Sequence, residues 1–159
     1  MSDVERVEVS RVIECSPAEV FDVVSDPEMH VRIDGSGMLE AAPDSRRATA
    51  VGDTFEMAMD REPLGDLPMG KYQVLNTVTR IVPDELFEWN VGSAEHGPFG
   101  HVYGWQIRPA GEGRVEVTNY VDWTGVSDRF KEHFPIVPVA MMQKSVDNLA
   151  GIMADRASL

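Results

Sequence analysis

The stretch His101-Val102-Tyr103-Gly104-Trp105-Gln106-Ile107-Arg108-Pro109-Ala110-Gly111-Glu112-Gly113-Arg114-Val115-Glu116-Val117-Thr118-Asn119-Tyr120-Val121-Asp122-Trp123 decides the fold. Two alternating runs flank Gly111-Glu112-Gly113, the pattern of a β-hairpin. A three-residue loop with Gly113 left-handed pairs Ala110 with Arg114. One face then sets His101, Tyr103, Trp105 and Ile107 opposite Trp123, Val121, Asn119 and Val117. The other face pairs Arg108 with Glu116, Gln106 with Thr118 and Gly104 with Tyr120. An opposite-charge pair and a tyrosine laid over bare glycine backbone both favour this register. A slip by one residue mixes apolar and charged side chains on both faces. The hairpin is therefore predicted to have one solvated face. Its aromatic face, which carries a histidine, a phenol and an amide, suits the wall of a small-molecule pocket.

Upstream of the hairpin, Val4 to Ile13 alternates as a strand, with Arg11 placed on the apolar side among Val7, Val9 and Ile13. Ser16, Pro17 and Glu19 form the cap of a short helix that carries Val20, Phe21, Val23 and Val24. Pro27 ends it and opens a second, capped by Asp26 and running to about Ile33. A short strand is predicted near Met38–Ala42, then a loop. Thr54 to Asp60 puts Phe55, Met57 and Met59 on one face. Arg61 to Gly70 reads as a loop long enough to cover a pocket mouth. Lys71 to Val82 is a long strand, and Leu86 to Val91 another, with Phe87, Trp89 and Val91 on one side. Gly92 to Gly100 reads as a loop.

Downstream, Thr124 to Pro138 is irregular, with a short helix around Asp128–His133. From Val139 to Arg156 the pattern turns helical, and Val139, Met142, Val146, Leu149 and Met153 form a buried stripe. The order is strand, two short helices, six strands and a long C-terminal helix. Sequential strands with helices at the ends predict an α+β fold with an antiparallel sheet.

The chain has 159 residues, the size of one domain, and is read as a single domain over 1–159. Its net charge of −13 opposes binding to nucleic acid or to anionic membranes, where phosphates demand Lys and Arg. Cys15 is the only cysteine, which rules out an intramolecular disulfide and fits a reducing, cytoplasmic setting. The charged opening Met1–Arg6 lacks the apolar segment of a secretory leader. No apolar run approaches the ~18 residues of a bilayer span, so no membrane insertion is expected. The pattern implies no oligomeric state.

The order of elements resembles the START-like or SRPBCC superfamily, the helix-grip fold shared with the birch pollen allergens and polyketide cyclases. The similar residues are the opening run from Val9 to Pro27, Ile33-Asp34-Gly35-Ser36-Gly37, and Phe87-Glu88-Trp89. The resemblance extends over nearly the whole chain. It implies a curved antiparallel sheet of six to seven strands wrapped around the C-terminal helix, with a cavity between them. It carries over no catalytic residue, because the superfamily includes lipid carriers, hormone receptors and cyclases.

The candidate pocket wall is Phe55, Met57, Met59, Phe87, Trp89, His101, Tyr103, Trp105, Asn119 and Trp123, closed from the helix by Met142, Val146 and Leu149. The alternative is a solid core. A dry pocket of ~300 Å³, at ~24 cal/mol per Å³, costs about 7 kcal/mol against a domain stability of about 5–15 kcal/mol. Such a pocket should therefore hold water or a ligand. The expected occupant is a hydrophobic or aromatic small molecule. The alternative function is a cyclase- or dehydratase-type enzyme, with His101 and Tyr103 as first choices for moving a proton. A third is a partner-binding protein, which an exposed apolar patch outside the pocket would mark.

Arg11 needs a carboxylate if it is buried, either a protein acid such as Asp34 or an acid on the ligand. His30, Asp34 and Ser36 are the residue types of a hydrolytic triad, but they lack a nucleophile-elbow pattern and read as turn chemistry. The histidines His30, His96, His101 and His133 show no metal-ligand spacing, and Gly35-x-Gly37 is no phosphate loop, so no metal or cofactor is expected. Cys15 reads as a small buried hydrophobe.

Overall fold

The structure, a computed structural model, describes residues 5–43 and 46–158. The expected first-strand residue Val4 and part of the loop before Thr54 fall outside them. Seven strands are described: β1 (Arg6–Ile13), β2 (Leu39–Ala41), β3 (Thr54–Asp60), β4 (Lys71–Val82), β5 (Leu86–Ser93), β6 (Gly97–Pro109) and β7 (Val115–Asp122). The helices are α1 (Pro17–Val24), α2 (Pro27–Ile33), a one-turn α3 (Asp128–Lys131) and the long α4 (Val139–Ala157). The strands form one curled antiparallel sheet in the order β1-β7-β6-β5-β4-β3-β2, a half-barrel that grips α4.

The hairpin register is the one its side chains demand. Tyr103 pairs with Val121, Trp105 with Asn119, Ile107 with Val117 and Arg108 with Glu116. Ala110 N–H donates to Arg114 O at 3.0 Å, and Gly113 is left-handed at φ 71°. The expectation of a solvated outer face needs correction. Tyr120 and Thr118 on that face are buried, at 1% and 7% exposure. Because the hairpin lies inside the sheet, neighbouring strands cover it. From β1, Ser10 shares a 2.7 Å hydrogen bond with Thr118, and the Arg6 guanidinium sits 3.9 Å from the centre of the Tyr120 ring. From β5, Glu88 accepts from the Tyr120 phenol, which lies over Gly104. Arg108 and Glu116 oppose each other without closing an ion pair.

The predicted Gly92–Gly100 loop is also shorter than read, since β5 runs to Ser93 and β6 starts at Gly97. The backbones close tightly there: a Cβ on Gly92 would lie 2.7 Å from Gly97 C and 2.8 Å from Pro98 Cα. Alternation is lost around a register shift between Asn90 and Gly92, which hides the strand from a pattern reading.

At the other end, α1 opens on a capping box. Ser16 Oγ accepts from Glu19 N at 3.2 Å, and Glu19 Oε1 from Ser16 N at 3.3 Å. Asp26 caps α2 by accepting from Glu28 N at 3.1 Å. The apolar stripe of α4 buries Met142, Val146, Leu149 and Met153 against β1, β7 and α2. Val139, expected in that stripe, is instead 46% exposed at the first residue of the helix. Among the described residues no helix is long and apolar enough to cross a membrane.

Candidate functional site

Between the concave face of the sheet and the first turns of α4 lies a cavity of about 230 Å³. Strands β3 to β7 supply its wall with Met57 and Met59, Tyr72, Val74 and Asn76, Trp89 and Val91, Phe99, His101, Tyr103 and Trp105, and Asn119. The end of α2 and the turn after it add His30, Ile33, Asp34, Ser36, Met38 and Leu39. Arg61, Met69, Ile136, Val137, Met142 and Ser145 close the top. Met69 and Phe99 are about half exposed, at 49% and 47%, and so mark the mouth.

Eight of the expected wall residues face this space: Met57, Met59, Trp89, His101, Tyr103, Trp105, Asn119 and Met142. Five do not, and each has a cover. Phe55 and Phe87 lie under the His30 ring, edge-on at 5.5 and 5.8 Å between centroids, so α2 seals that end. Trp123 is stacked by Phe134 at 5.9 Å. Val146 and Leu149 sit further along α4, where the helix packs directly on the core.

Two of the lining residues carry a buried polar atom without a partner. Asn76 and His101 are 4% and 5% exposed, and neither Asn76 Oδ1 nor His101 Nδ1 has a hydrogen-bond partner among the described residues. Asn76 faces Val91 across the β4–β5 pair, and both residues line the cavity together with His101. Burial pushes the His101 imidazole down to about 4, which leaves it neutral at pH 7. Its ring lies among Phe134, Tyr103 and Phe99, at 4.8, 5.7 and 6.4 Å. Burial likewise raises the Tyr103 phenol above its ordinary value. Asn119 is already engaged, with Nδ2 donating to Gly104 O at 3.0 Å.

Sequence reading passed over Asn76, although the signal was present: a carboxamide between Val74 and Val78, in phase with the apolar face of β4. It passed over Arg61 as well. This side chain is buried at 8% exposure and held in a fork by Asp66, with Nε to Oδ1 at 2.8 Å and Nη2 to Oδ2 at 2.7 Å. Arg61 N–H also donates to Gly70 O at 2.9 Å, which ties off the 61–70 loop over the cavity.

The remaining candidates are structural. Nε2 of His30 donates to Val24 O at 2.6 Å, and burial lowers its pKa. Asp34 turns the chain: Oδ1 accepts from Ser36 N at 3.0 Å and Ser36 Oγ at 2.7 Å, Oδ2 from Leu39 N at 3.1 Å. His30 and Ser36 thus point at different partners and form no triad. Arg11 is exposed and pairs with Asp147 of α4 at 2.9 Å, not with Asp34. Cys15 is partly buried, its thiol pushed up to about 11 mainly by desolvation. Among the described residues no cluster of three or more His, Cys, Asp or Glu side chains could hold a metal ion.

A curled sheet gripping a long helix around an apolar cavity defines a helix-grip protein of the SRPBCC type. The chain belongs to the family described as polyketide cyclase / dehydrase and lipid transport, whose model matches residues 4–154. It is 31% identical over 153 residues to an uncharacterized protein of Mycobacterium tuberculosis strain H37Rv, covering 95% of this chain and 62% of that one. It thus spans less than two thirds of that relative's length. Among solved structures, a Nitrosomonas europaea protein superposes with a TM-score of 0.70 at 13% identity, over 99% of this chain and 100% of that one. A Mycobacterium smegmatis protein does so with a TM-score of 0.68 at 10% identity, over 96% and 93%. At those identities the likeness is one of fold.

Proposed function

We propose that this chain binds a hydrophobic, partly aromatic small molecule in the cavity between sheet and α4. The observation that carries the reading is a cavity of about 230 Å³ with a largely apolar, aromatic-rich wall, held between the sheet and α4. A dry void of 230 Å³ costs about 5–6 kcal/mol at ~24 cal/mol per Å³. That rivals the ~5–15 kcal/mol that holds a whole domain folded, so an occupant that fills the space stabilises the protein. The family description, which includes lipid transport, supports the same reading. A reducing cytoplasm, inferred from the single Cys15, is the setting we propose.

The test is native mass spectrometry of the protein purified from its own host. The expected result is an adduct that releases an identifiable small molecule on denaturation. Protein at its bare mass, with a melting temperature unmoved by every neutral aromatic compound offered, overturns the reading.

One observation favours a second reading, a cyclase- or dehydratase-type enzyme. His101 and Tyr103 both line the cavity, with ring centroids 5.7 Å apart, and are the residue types that move a proton on a bound chain. A base with a pKa of about 4 is weak, however, and desolvation alone shifts it, with no carboxylate contributing. Unimpaired turnover in the His101→Phe, Tyr103→Phe double variant would remove both from catalysis.

A further inference from the structure

We infer that the cavity accepts apolar ligands of differing length, because a methionine flank of its wall yields while an aromatic flank holds fixed. The inference rests on the cavity being a binding site and adds the range of ligands it takes. The chain has nine methionines. Five of them, Met38, Met57, Met59, Met69 and Met142, line this one cavity. They come from four separate segments: the residue before β2, strand β3, the 61–70 loop and α4. A methionine side chain is unbranched, rotates around three bonds and refills irregular space. A wall built of such side chains changes shape by rotamer, with the backbone left in place.

The other flank has no such freedom. Trp89 and Tyr103 are cross-strand partners with ring centroids 6.1 Å apart. Trp89 also meets His30 at 4.8 Å and Phe87 at 5.5 Å, and Tyr103 meets His101 at 5.7 Å. Turning one of these rings displaces its neighbours. Their strands, β5 and β6, lie inside the sheet, whereas β3 is next to the edge and the three-residue β2 forms the edge. Space is therefore gained toward the sheet edge, on the methionine side. The resting volume sets a length. A dry cavity of ~150 Å³ accepts benzene, so about 230 Å³ holds about nine heavy atoms, the size of 1-octanol. Longer chains require the wall to give.

The experiment measures the affinities of 1-hexanol, 1-octanol, 1-decanol and 1-dodecanol, and of naphthalene, by tryptophan fluorescence and by melting temperature. The proteins are the wild type, Met57→Leu, Met153→Leu, and a triple variant carrying Met38→Leu, Met57→Leu and Met142→Leu. Leucine keeps the size and apolarity but is branched and less flexible, a swap that cores tolerate. Met57→Leu serves where the triple variant does not fold. Met153 is buried on α4 outside the cavity and is the control. In the wild type each added methylene should raise affinity about fourfold, through 1-dodecanol. In the triple variant the gain should stop near 1-octanol, and in Met57→Leu it should shrink beyond that length. Met153→Leu should follow the wild type. A gain that stops near 1-octanol in the wild type as well means a cavity of fixed size and overturns the inference. So does a triple variant that keeps pace with the wild type, or a Met153→Leu protein that falls with the triple variant. Binding of naphthalene but of no alkanol overturns the inferred range and leaves the small-molecule reading. No binding by any probe overturns both.

Discussion

Replacing His101 by Phe should change how stability depends on pH. The folded imidazole is pushed down from 6.5 to about 4, because it is buried among aromatic rings with no charge near it. The unfolded chain therefore binds the proton more readily than the folded one. Stability from this group is fully present above pH 6.5 and is lost as pH falls toward 4. With those two values the loss between pH 7 and pH 5 is about 2 kcal/mol. His30 is also shifted downward by burial and adds a loss of the same sign in wild type and variant alike. The depressed carboxylates Asp53, Asp66 and Asp147 act in a lower window, around and below their ordinary value of 3.8, so they leave this range to histidine. Urea unfolding at pH 7, 6 and 5 for both proteins isolates the His101 part as a difference of differences. The variant should lose about 2 kcal/mol less than the wild type over that range. Parallel curves for the two proteins would refute a buried neutral His101.

Other substitutions probe the fold that holds the site. A Cβ at Gly104 would clash with the phenol end of the Tyr120 side chain, so Gly104→Ala should displace the tyrosine from Glu88 and cost about 2–4 kcal/mol, read from the denaturation midpoint. Gly35→Ala would bring a Cβ to 2.7 Å from Lys144 Cβ and Ser145 N, prising the turn after α2 off α4. A loss of about 2 kcal/mol or more is expected, with the Gly35 N–H to Ser145 Oγ hydrogen bond exposed to hydrogen exchange. Arg11→Ala, which removes a half-exposed pair with Asp147, should change stability by less than about 1 kcal/mol, and less again in high salt. A larger loss would mean that Arg11 is buried after all.

Much of this fold was legible in the chain because its signals are local. The 2.0-residue period of Phe55, Met57 and Met59 needs no partner to be read, nor does the 3-4 spacing of Met142, Val146, Leu149 and Met153. The hairpin register is set by its own turn and its own side chains, and the Ser16–Glu19 box lies within four residues. Eight wall residues followed from asking which face of each element is apolar.

Tertiary structure decided what each apolar face meets. Phe55 and Met57 share a face of β3, yet one lies beneath His30 and the other beside an open cavity. The difference is the docking of α2, whose end closes one side of the curled sheet. Tyr120 and Thr118 look solvated in a two-stranded reading and are buried because β1 and β5, far away in the chain, flank the hairpin. Arg11 looks buried in its strand, yet it is exposed and pairs with Asp147 on α4. The same holds for the site. Sequence placed His101 on the aromatic face, but only the assembled sheet brings Asn76 to the same cavity and leaves a buried polar atom of each unpaired. Periodicity records which side of an element avoids water. Whether that side packs solid or encloses a space depends on how distant elements meet, and no local pattern encodes that.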